Sequence, residues 1–161
     1  VTGGFYLNAH NFDVTFGDLQ VTEIEGSDII SGDDTDNALV AVDTGDVDPG
    51  IGEIDVLKGG SGVDTFVLGN GSGGVFYDDD NPSTAGNDDY ALIWDFETGI
   101  DTIQLFGSAN DYFLDENSAL FAGDIAIYKR DATNDELIGV LNDVAGLSLN
   151  SSDFLYENIV V

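Results

Sequence analysis

Hydrophobic residues along the chain fall in short, separated groups rather than in long runs. Residues 1–25 contain two alternating patterns, Phe12–Phe16 and Leu19–Val21, that are typical of β-strands. From about Gly26 to Gly74 the chain is rich in Gly and Asp, and its apolar residues come in pairs that are too broken for helices or long strands. We therefore expect a predominantly β structure without a helix longer than a turn or two.

The C-terminal half contains clearer strand patterns. Four segments there predict strands: Tyr90–Trp94, Thr102–Phe106, Asp124–Lys129 and Leu137–Leu141. Residues 131–135 predict a hairpin turn between the last two strands. A final apolar run covers Phe154–Val161, and Asn117–Phe121 is the best candidate for a short helix. Trp94 follows an apolar strand, so we expect it in the core.

Charge changes this picture, because the chain carries 32 acidic residues against three Lys and Arg, a formal net charge of −29. Such a surplus repels phosphate and excludes nucleic acid as a partner. Chains this charged are often disordered, yet this one is 42% hydrophobic and 11% aromatic, which is enough to build a core. Bound divalent cations would resolve the conflict, and Asp/Gly loops offer the oxygen ligands that calcium prefers.

A spacing of nine residues runs through the Gly/Asp-rich segment. Counting back in nines from Asp64 gives Asp55, Asp46, Asn37 and Asp28. The residue two places after each is apolar in four of these five repeats: Phe66, Leu57, Leu39 and Ile30.

Residues 59–67 match every fixed place of the calcium-binding nonapeptide G-G-x-G-x-D-x-U-x, in which U is apolar. Glycines let the backbone take positive φ and turn its carbonyl oxygens towards an ion. The Asp adds a carboxylate, and the apolar residue begins a short strand with a buried side chain. We expect this turn to form a calcium site from Gly59, Gly60, Ser61, Gly62 and Asp64.

If each nonapeptide forms one turn and one strand, two of them complete a coil, and turns roughly 18 residues apart stack on one edge. In that register one edge is lined by Asp28, Asp46 and Asp64, and the other by Asn37 and Asp55. Stacked carboxylates repel one another, so calcium between them would hold the turns together. Asp95 and Asp101 are candidates for a further ion. We expect one to three well-formed calcium sites.

These motifs resemble RTX (haemolysin-type calcium-binding repeat) proteins. Residues 49–58 resemble the repeat that commonly precedes a perfect one, especially in cyanobacterial RTX-type secreted proteins. Residues 75–80, 89–96 and 99–105 resemble that family's C-terminal capping segment. The resemblance implies an all-β fold, a short calcium-binding parallel β-roll capped by antiparallel strands. We expect one domain over 1–161, with N-terminal strands (1–25), roll repeats (26–74) and a capping β region (75–161).

The resemblance also implies an extracellular or cell-surface location and export through a type I secretion apparatus. The ending Glu157–Val161, an acid before aliphatic residues, is similar to the C-terminal signals of such proteins. Some repeats depart from the pattern: Asn37 stands at a ligand place, Asp48 at an apolar place, and Gly73 where the next Asp is expected. No apolar run is long enough for a transmembrane helix. The chain begins at Val1 without a signal peptide, so we expect a fragment or a processed form.

Catalysis is not expected from this sequence. The chain has no Cys and a single His, His10, so zinc and haem sites lack ligands, and no Gly-x-Ser-x-Gly motif surrounds a serine. The favoured interpretation is a non-catalytic calcium-binding module. Two alternatives stay open. One is a calcium-cemented subunit of an extracellular filament, surface layer or adhesin, self-associating through terminal segments 1–7 and 154–161. The other is the C-terminal tail of a larger secreted enzyme.

Overall fold

The computed structural model describes residues 13–15, 26–81 and 86–159, and all structural statements concern these residues. They are all-β, as predicted, with parallel and antiparallel sheets and a short 3₁₀ turn at Ala109–Asp111. The strands are β1 (Asp13–Thr15), β2 (Ile29–Ser31), β3 (Ala38–Leu39), β4 (Ile54–Lys58), β5 (Thr65–Val67), β6 (Gly69–Asn70), β7 (Gly74–Val75), β8 (Tyr90–Ile93), β9 (Thr102–Phe106), β10 (Tyr112–Asp115), β11 (Ile125–Lys129), β12 (Glu136–Leu141) and β13 (Phe154–Glu157).

Most of the strand predictions are confirmed. The four clear C-terminal patterns correspond to β8, β9, β11 and β12, and residues 131–135 join the antiparallel pair β11 and β12. The final apolar run contains β13, which is shorter than the run itself. The pattern at 12–16 contains β1, whereas Leu19–Val21 lies outside the described residues.

Two local predictions are wrong. Residues 117–121 form bends instead of a helix, because Asp115 Oδ1 accepts the Asn117 N–H at 2.8 Å and Ser118 Oγ accepts the Leu120 N–H at 3.3 Å. Local bonds of this kind compete with helix formation. Trp94 is 50% exposed rather than in the core. It follows the inward-facing Ile93, and successive side chains in extended backbone point to opposite faces.

The chain alternates between two sheets. β2, β4 and β8 lie parallel in a seven-stranded sheet with the order β1-β2-β4-β8-β12-β11-β10. β3, β5, β9 and β13 form a four-stranded parallel sheet in the order β3-β5-β9-β13. From β2 to β5, and again from β8 to β9, each strand of the first sheet is followed by one of the second. The N-terminal half is therefore a parallel coil that passes once through each sheet per turn.

The predicted register of two nonapeptides per coil is wrong. Asp28 and Asp55, 27 residues apart, are bonded neighbours, and so are Asn37 and Asp64. The intervening nonapeptide forms no strand, because Asp43 turns the chain: its Oδ1 accepts the Gly45 N–H and its carbonyl accepts the Asp46 N–H. Three nonapeptides therefore complete the first coil. The next coil is longer, since Asp64 meets Asp101 at a separation of 37 residues.

Two columns of inward-facing side chains build the core. One column, from the seven-stranded sheet, consists of Ile30, Leu57, Ile93 and Leu141. The other, from the four-stranded sheet, consists of Leu39, Phe66, Ile103 and Phe154. All eight side chains are buried in one continuous cluster. The apolar residue two places after each repeat Asp or Asn is thus buried, as the nonapeptide pattern predicts, at Ile30, Leu39, Leu57 and Phe66.

The antiparallel strands continue the first sheet instead of forming a separate layer. β12 pairs in parallel with β8 and antiparallel with β11, and β10 pairs with β11 at the sheet edge. A small second cluster on the other face of this region contains Ala126, Leu137 and Val140. The C-terminal region therefore shares its sheet with the coil, which fixes β12 beside the loop that leads into β8.

The 27-residue register can be tested by cross-linking, because the chain has no cysteine of its own. Ala38 and Thr65 are partners on parallel strands, where neighbouring Cα atoms lie about 4.8 Å apart, within the range of a disulfide. We expect the double variant Ala38→Cys/Thr65→Cys to form an intramolecular disulfide, detected by thiol titration and non-reducing electrophoresis. The matched pair Val47→Cys/Thr65→Cys, which fits the 18-residue register, should remain reduced. The reverse result would exclude the coil described here.

Candidate functional site

Turns that join the two sheets stack at one edge of the coil. They comprise residues 32–37, 59–64 and 95–101, which precede β3, β5 and β9. The Gly32 N–H donates to the Lys58 carbonyl at 2.7 Å, and the Ser61 N–H donates to the Asp33 carbonyl at 3.1 Å. The perfect nonapeptide turn is therefore the middle of three, with direct backbone contact to the turn before it.

The glycines of this turn are required by both conformation and space. Gly60 and Gly62 have φ of 93° and 133°, a region that side chains with Cβ rarely adopt. A methyl group on Gly60 would overlap the Asp33 carbonyl oxygen, and one on Gly62 would lie 2.8 Å from the carbonyl of Thr35. The positive φ of Gly60 and Gly62 agrees with the nonapeptide pattern, and carbonyl oxygens of the preceding turn face both glycines.

The last residues of the turns form a column of buried side chains, which we call the aspartate column: Asn37, Asp64, Asp101 and Asp153. Asp64 Oδ1 accepts the Asn37 N–H at 2.8 Å, and Asp101 Oδ1 accepts the Asp64 N–H at 3.0 Å. Asp153 Oδ1 accepts the Gly99 N–H at 2.6 Å. Each carboxylate therefore satisfies a backbone donor of the preceding turn.

Two further carboxylates bind the nonapeptide turn from outside the column. Asp95 accepts the Gly59 N–H at 2.8 Å and the Gly60 N–H at 3.1 Å, one with each oxygen. Asp36 Oδ1 accepts the Val63 N–H at 2.9 Å. Together with Asp64 and Asp101, these residues place four acidic side chains around one turn.

The electrostatics of this cluster are unfavourable. Burial raises the pKa of Asp64; the hydrogen bond from the Asn37 N–H opposes the shift, and the charges of Asp101, Asp95 and Asp36 add to it. None of the three Lys and Arg side chains forms a salt bridge with these carboxylates: Lys58, which precedes Gly59, lies over the Trp94 ring at 6.0 Å, Lys129 pairs with Asp78 at 3.4 Å, and Arg130 lies over the Phe113 ring at 4.9 Å.

Asp28 and Asp55 lie inside the coil. Asp55 is fully buried; its Oδ1 accepts the Asp28 N–H at 2.8 Å and its Oδ2 accepts the Tyr77 hydroxyl at 2.6 Å. Burial raises the pKa of Asp55 to about 7, although both hydrogen bonds oppose the shift. The structure therefore places Asp55 beside Asp28, which the predicted register had put on the opposite edge.

Asp46 is not part of either group. It is exposed on the loop after β3, because the third nonapeptide of the coil forms no strand, and it stacks on neither Asp28 nor Asp64. The prediction that Asp28, Asp46 and Asp64 share one edge is wrong for this reason. Ser61 is exposed at the tip of the nonapeptide turn, where only its backbone N–H contacts the turn before it.

The edge formed by the stacked turns 32–37, 59–64 and 95–101, which we call the nonapeptide edge, offers the kind of ligands that calcium takes. Carboxylates of Asp36, Asp64 and Asp95 and the carbonyls of Asp33 and Thr35 are the hard oxygen ligands that calcium takes. Several of these oxygens already accept N–H groups. Within the described ranges, no group of three or more His, Asp or Glu side chains converges closely enough to hold a metal ion.

Sequence reasoning missed some residues that complete these groups. Asp153 joins the aspartate column from more than 50 residues downstream of Asp101, with no spacing rule to reveal it. The contact of the Tyr77 hydroxyl with Asp55 could not be predicted, because Tyr77 lies between aromatic and acidic residues of an irregular segment. Asp36 had one available signal, because its turn keeps a leading Gly and ends in Asn37 like a nonapeptide.

The raised pKa of Asp55 predicts a pH dependence of stability. Between pH 3.8, the usual pKa of an aspartate, and a pH of about 7, Asp55 is protonated in the folded chain but ionised in the unfolded chain. Stability should therefore fall as pH rises through this window and level off above it, with a slope of at most about 1.4 kcal/mol per pH unit for this group. In calorimetric melting at saturating calcium, Asp55→Asn should reduce the slope, because the amide does not titrate. Asp46→Asn should keep the wild-type slope. An unchanged slope in Asp55→Asn would refute the assignment of this pH dependence to Asp55.

The described part of the chain contains no helix long and apolar enough to cross a membrane. A comparison with protein-family models found no match, and a comparison with curated proteins found no similar sequence. The resemblance to RTX repeats therefore rests on the motifs of this sequence alone.

Proposed function

We propose that this chain is a secreted, non-catalytic calcium-binding module whose folded state depends on calcium at the nonapeptide edge. The observation that carries the proposal is the arrangement of Asp36, Asp64, Asp95 and Asp101 around one glycine-rich turn, with no salt bridge to any of them among the described residues. Hydrogen bonds from backbone N–H groups stabilise these carboxylates individually, but they do not remove the repulsion among them.

The size of that repulsion favours an external cation. Two like charges about 4 Å apart repel by roughly 4 kcal/mol at the effective dielectric of a protein surface, and by less at larger separations. Repulsion of that order would be a considerable share of the stability of a domain, which is about 5 to 15 kcal/mol. A divalent ion ligated by these oxygens would reverse the sign of the interaction.

The proposed ligands follow from the atoms that face one another in the stacked turns. Carboxylates of Asp64, Asp36 and Asp95 would supply the negative charge, and the carbonyls of Asp33 and Thr35, which face Gly60 and Gly62, would supply neutral oxygens. We further propose that the parallel coil is a variant of the RTX roll in which three nonapeptides, rather than two, complete the first coil. Asp28 and Asp55 would then form hydrogen bonds inside the coil and would not bind calcium.

Calcium dependence would couple folding to export. Extracellular calcium modules bind with Kd values of about 10⁻⁴ to 10⁻³ M, far above cytosolic calcium and near extracellular calcium. An unliganded, self-repelling chain would stay unfolded and exportable inside the cell and would fold outside it. Calcium binding would account for the presence of a hydrophobic core in a chain of net charge −29.

The proposal predicts a calcium-induced gain in stability that depends on Asp64. In wild type, calcium should stabilise the folded chain by about 1.4 kcal/mol for each site whose Kd is tenfold below the calcium concentration, and so raise the melting temperature relative to EGTA. Asp64→Asn should lose the part of this gain that comes from the nonapeptide edge, because the amide keeps the bond to the Asn37 N–H but removes the charge. Circular dichroism melting of wild type and of Asp64→Asn, each in calcium and in EGTA, measures the gain and its loss.

Asp46→Asn is the matched control, since Asp46 occupies the same place in its repeat but lies exposed on a loop. It should respond to calcium like wild type. Identical β spectra and melting points of wild type in calcium and in EGTA would contradict the proposal.

A second candidate function is assembly into a calcium-cemented extracellular filament or layer. Its specific support is that β3 and β13 are the two edges of the four-stranded sheet among the described residues, and that Leu155 on β13 is 48% exposed. Edge strands pair readily with another chain, and pairing of β13 with β3 of a second copy would be head-to-tail.

Sedimentation in millimolar calcium tests assembly. Larger species that disappear in Leu155→Lys, a charge on the edge strand, are the expected result for a filament subunit. A wild type that remains strictly monomeric at high protein concentration would count against this function and would leave the monomeric calcium module standing.

A further inference from the structure

Glu136, the first residue of β12, is fully buried and lies away from the nonapeptide edge. Neither of its carboxylate oxygens accepts a hydrogen bond from the described residues. A buried carboxylate without donors is costly, and native proteins pair such groups with hydrogen-bond donors, charges or metal ions. Glu136 differs in this respect from Asp64, Asp101 and Asp153, each of which accepts at least one N–H group.

The loop before β8 packs against this carboxylate. Gly86 has φ of 51°, and a methyl group there would overlap Glu136 Oε2. The Gly86 carbonyl accepts the Leu137 N–H at 2.9 Å, which ties the loop to the start of β12. The next residue, Asn87, has a buried side-chain oxygen that also lacks a donor among the described residues. Three buried acceptor oxygens of Glu136 and Asn87 are thus held by two segments in direct contact.

The surrounding charges do not compensate Glu136. Lys129 is its cross-strand partner on β11, but the Lys129 ammonium lies 3.4 Å from Asp78. Burial raises the pKa of Glu136 to about 7, and the charges of Asp79, Asp78, Asp89 and Asp131 raise it further. The charges that shift the pKa of Glu136 are therefore negative, although Lys129 is its cross-strand partner.

The chemistry of these oxygens selects the ligand. Acceptor oxygens without donors attract a cation and repel an anion. A proton would supply a single donor for three acceptors. Carboxylate and amide oxygens, without nitrogen or sulfur, are the ligands of calcium rather than of zinc.

We propose that Glu136 and Asn87 hold a divalent cation, calcium, between the loop that precedes β8 and the start of β12, as a site separate from the nonapeptide edge. The ion would bind both carboxylate oxygens of Glu136 and the side-chain oxygen of Asn87. It would fasten the parallel coil to the antiparallel region, because β8 belongs to the first and β12 to the second.

Calorimetric titration of the calcium-stripped full chain with calcium chloride tests this site. Glu136→Gln should bind one calcium ion fewer per chain than wild type. Glu116→Gln is the matched control: Glu116 is exposed and accepts the Gly146 N–H, so its variant should bind the wild-type number of ions. Asn87→Ala, which leaves the charge in place, should weaken one site at least tenfold.

The results separate this proposal from the one on the nonapeptide edge. Loss of one ion in Glu136→Gln together with a full complement in Asp64→Asn would support the Glu136 site and refute the edge. An unchanged number and affinity of ions in Glu136→Gln would overturn the Glu136 site, leaving Glu136 as a neutral buried acid. If Glu136→Gln does not fold, Asn87→Ala decides: unchanged affinity at every site overturns the proposal.

Discussion

The fold depends on one recurring interaction, the hydrogen bond from a backbone N–H of one turn to the carboxylate of an Asp in the next. Turns between parallel strands leave N–H groups that no strand partner satisfies, and buried donors of this kind are costly. Asp64, Asp101 and Asp153 satisfy them in succession, so that each coil is registered against its neighbour. Charged acceptors make stronger bonds than neutral ones, which favours Asp over Asn inside the stack.

The same interaction creates the charge problem that calcium would solve. A column of buried carboxylates brings like charges together, and the raised pKa of Asp64 and Asp55 reflects this burial. Gly60 and Gly62 contribute to the same effect, because they allow the turns to approach closely enough for these hydrogen bonds. The residues that were interpreted as calcium ligands therefore have a hydrogen-bonding role, and the proposed ion would share the same oxygens.

Local patterns predicted the strands well, whereas the register depended on long-range packing. β8 and β9 follow from apolar alternation because one face of each is buried, whereas β12 is buried along its whole length and β11 over its first three residues. The nine-residue spacing was real, but spacing alone does not say whether two or three repeats complete a coil. That choice was decided by Asp43, which turns the third repeat away from a strand. Asp153 and Glu136 could not be found because their partners lie in segments joined only by the fold.

The buried acids differ in what the protein itself provides for them. Asp101 accepts two N–H groups and Asp55 accepts an N–H and a hydroxyl, so each is stabilised within the chain. Glu136 receives no donor from the described residues, although it is equally buried. The first group therefore needs no ion to satisfy its hydrogen-bonding capacity, and calcium there would act only on the repulsion among the carboxylates. For Glu136 the proposed ion would do both, because the described part of the chain supplies neither a donor nor a compensating charge where the parallel coil meets the antiparallel strands.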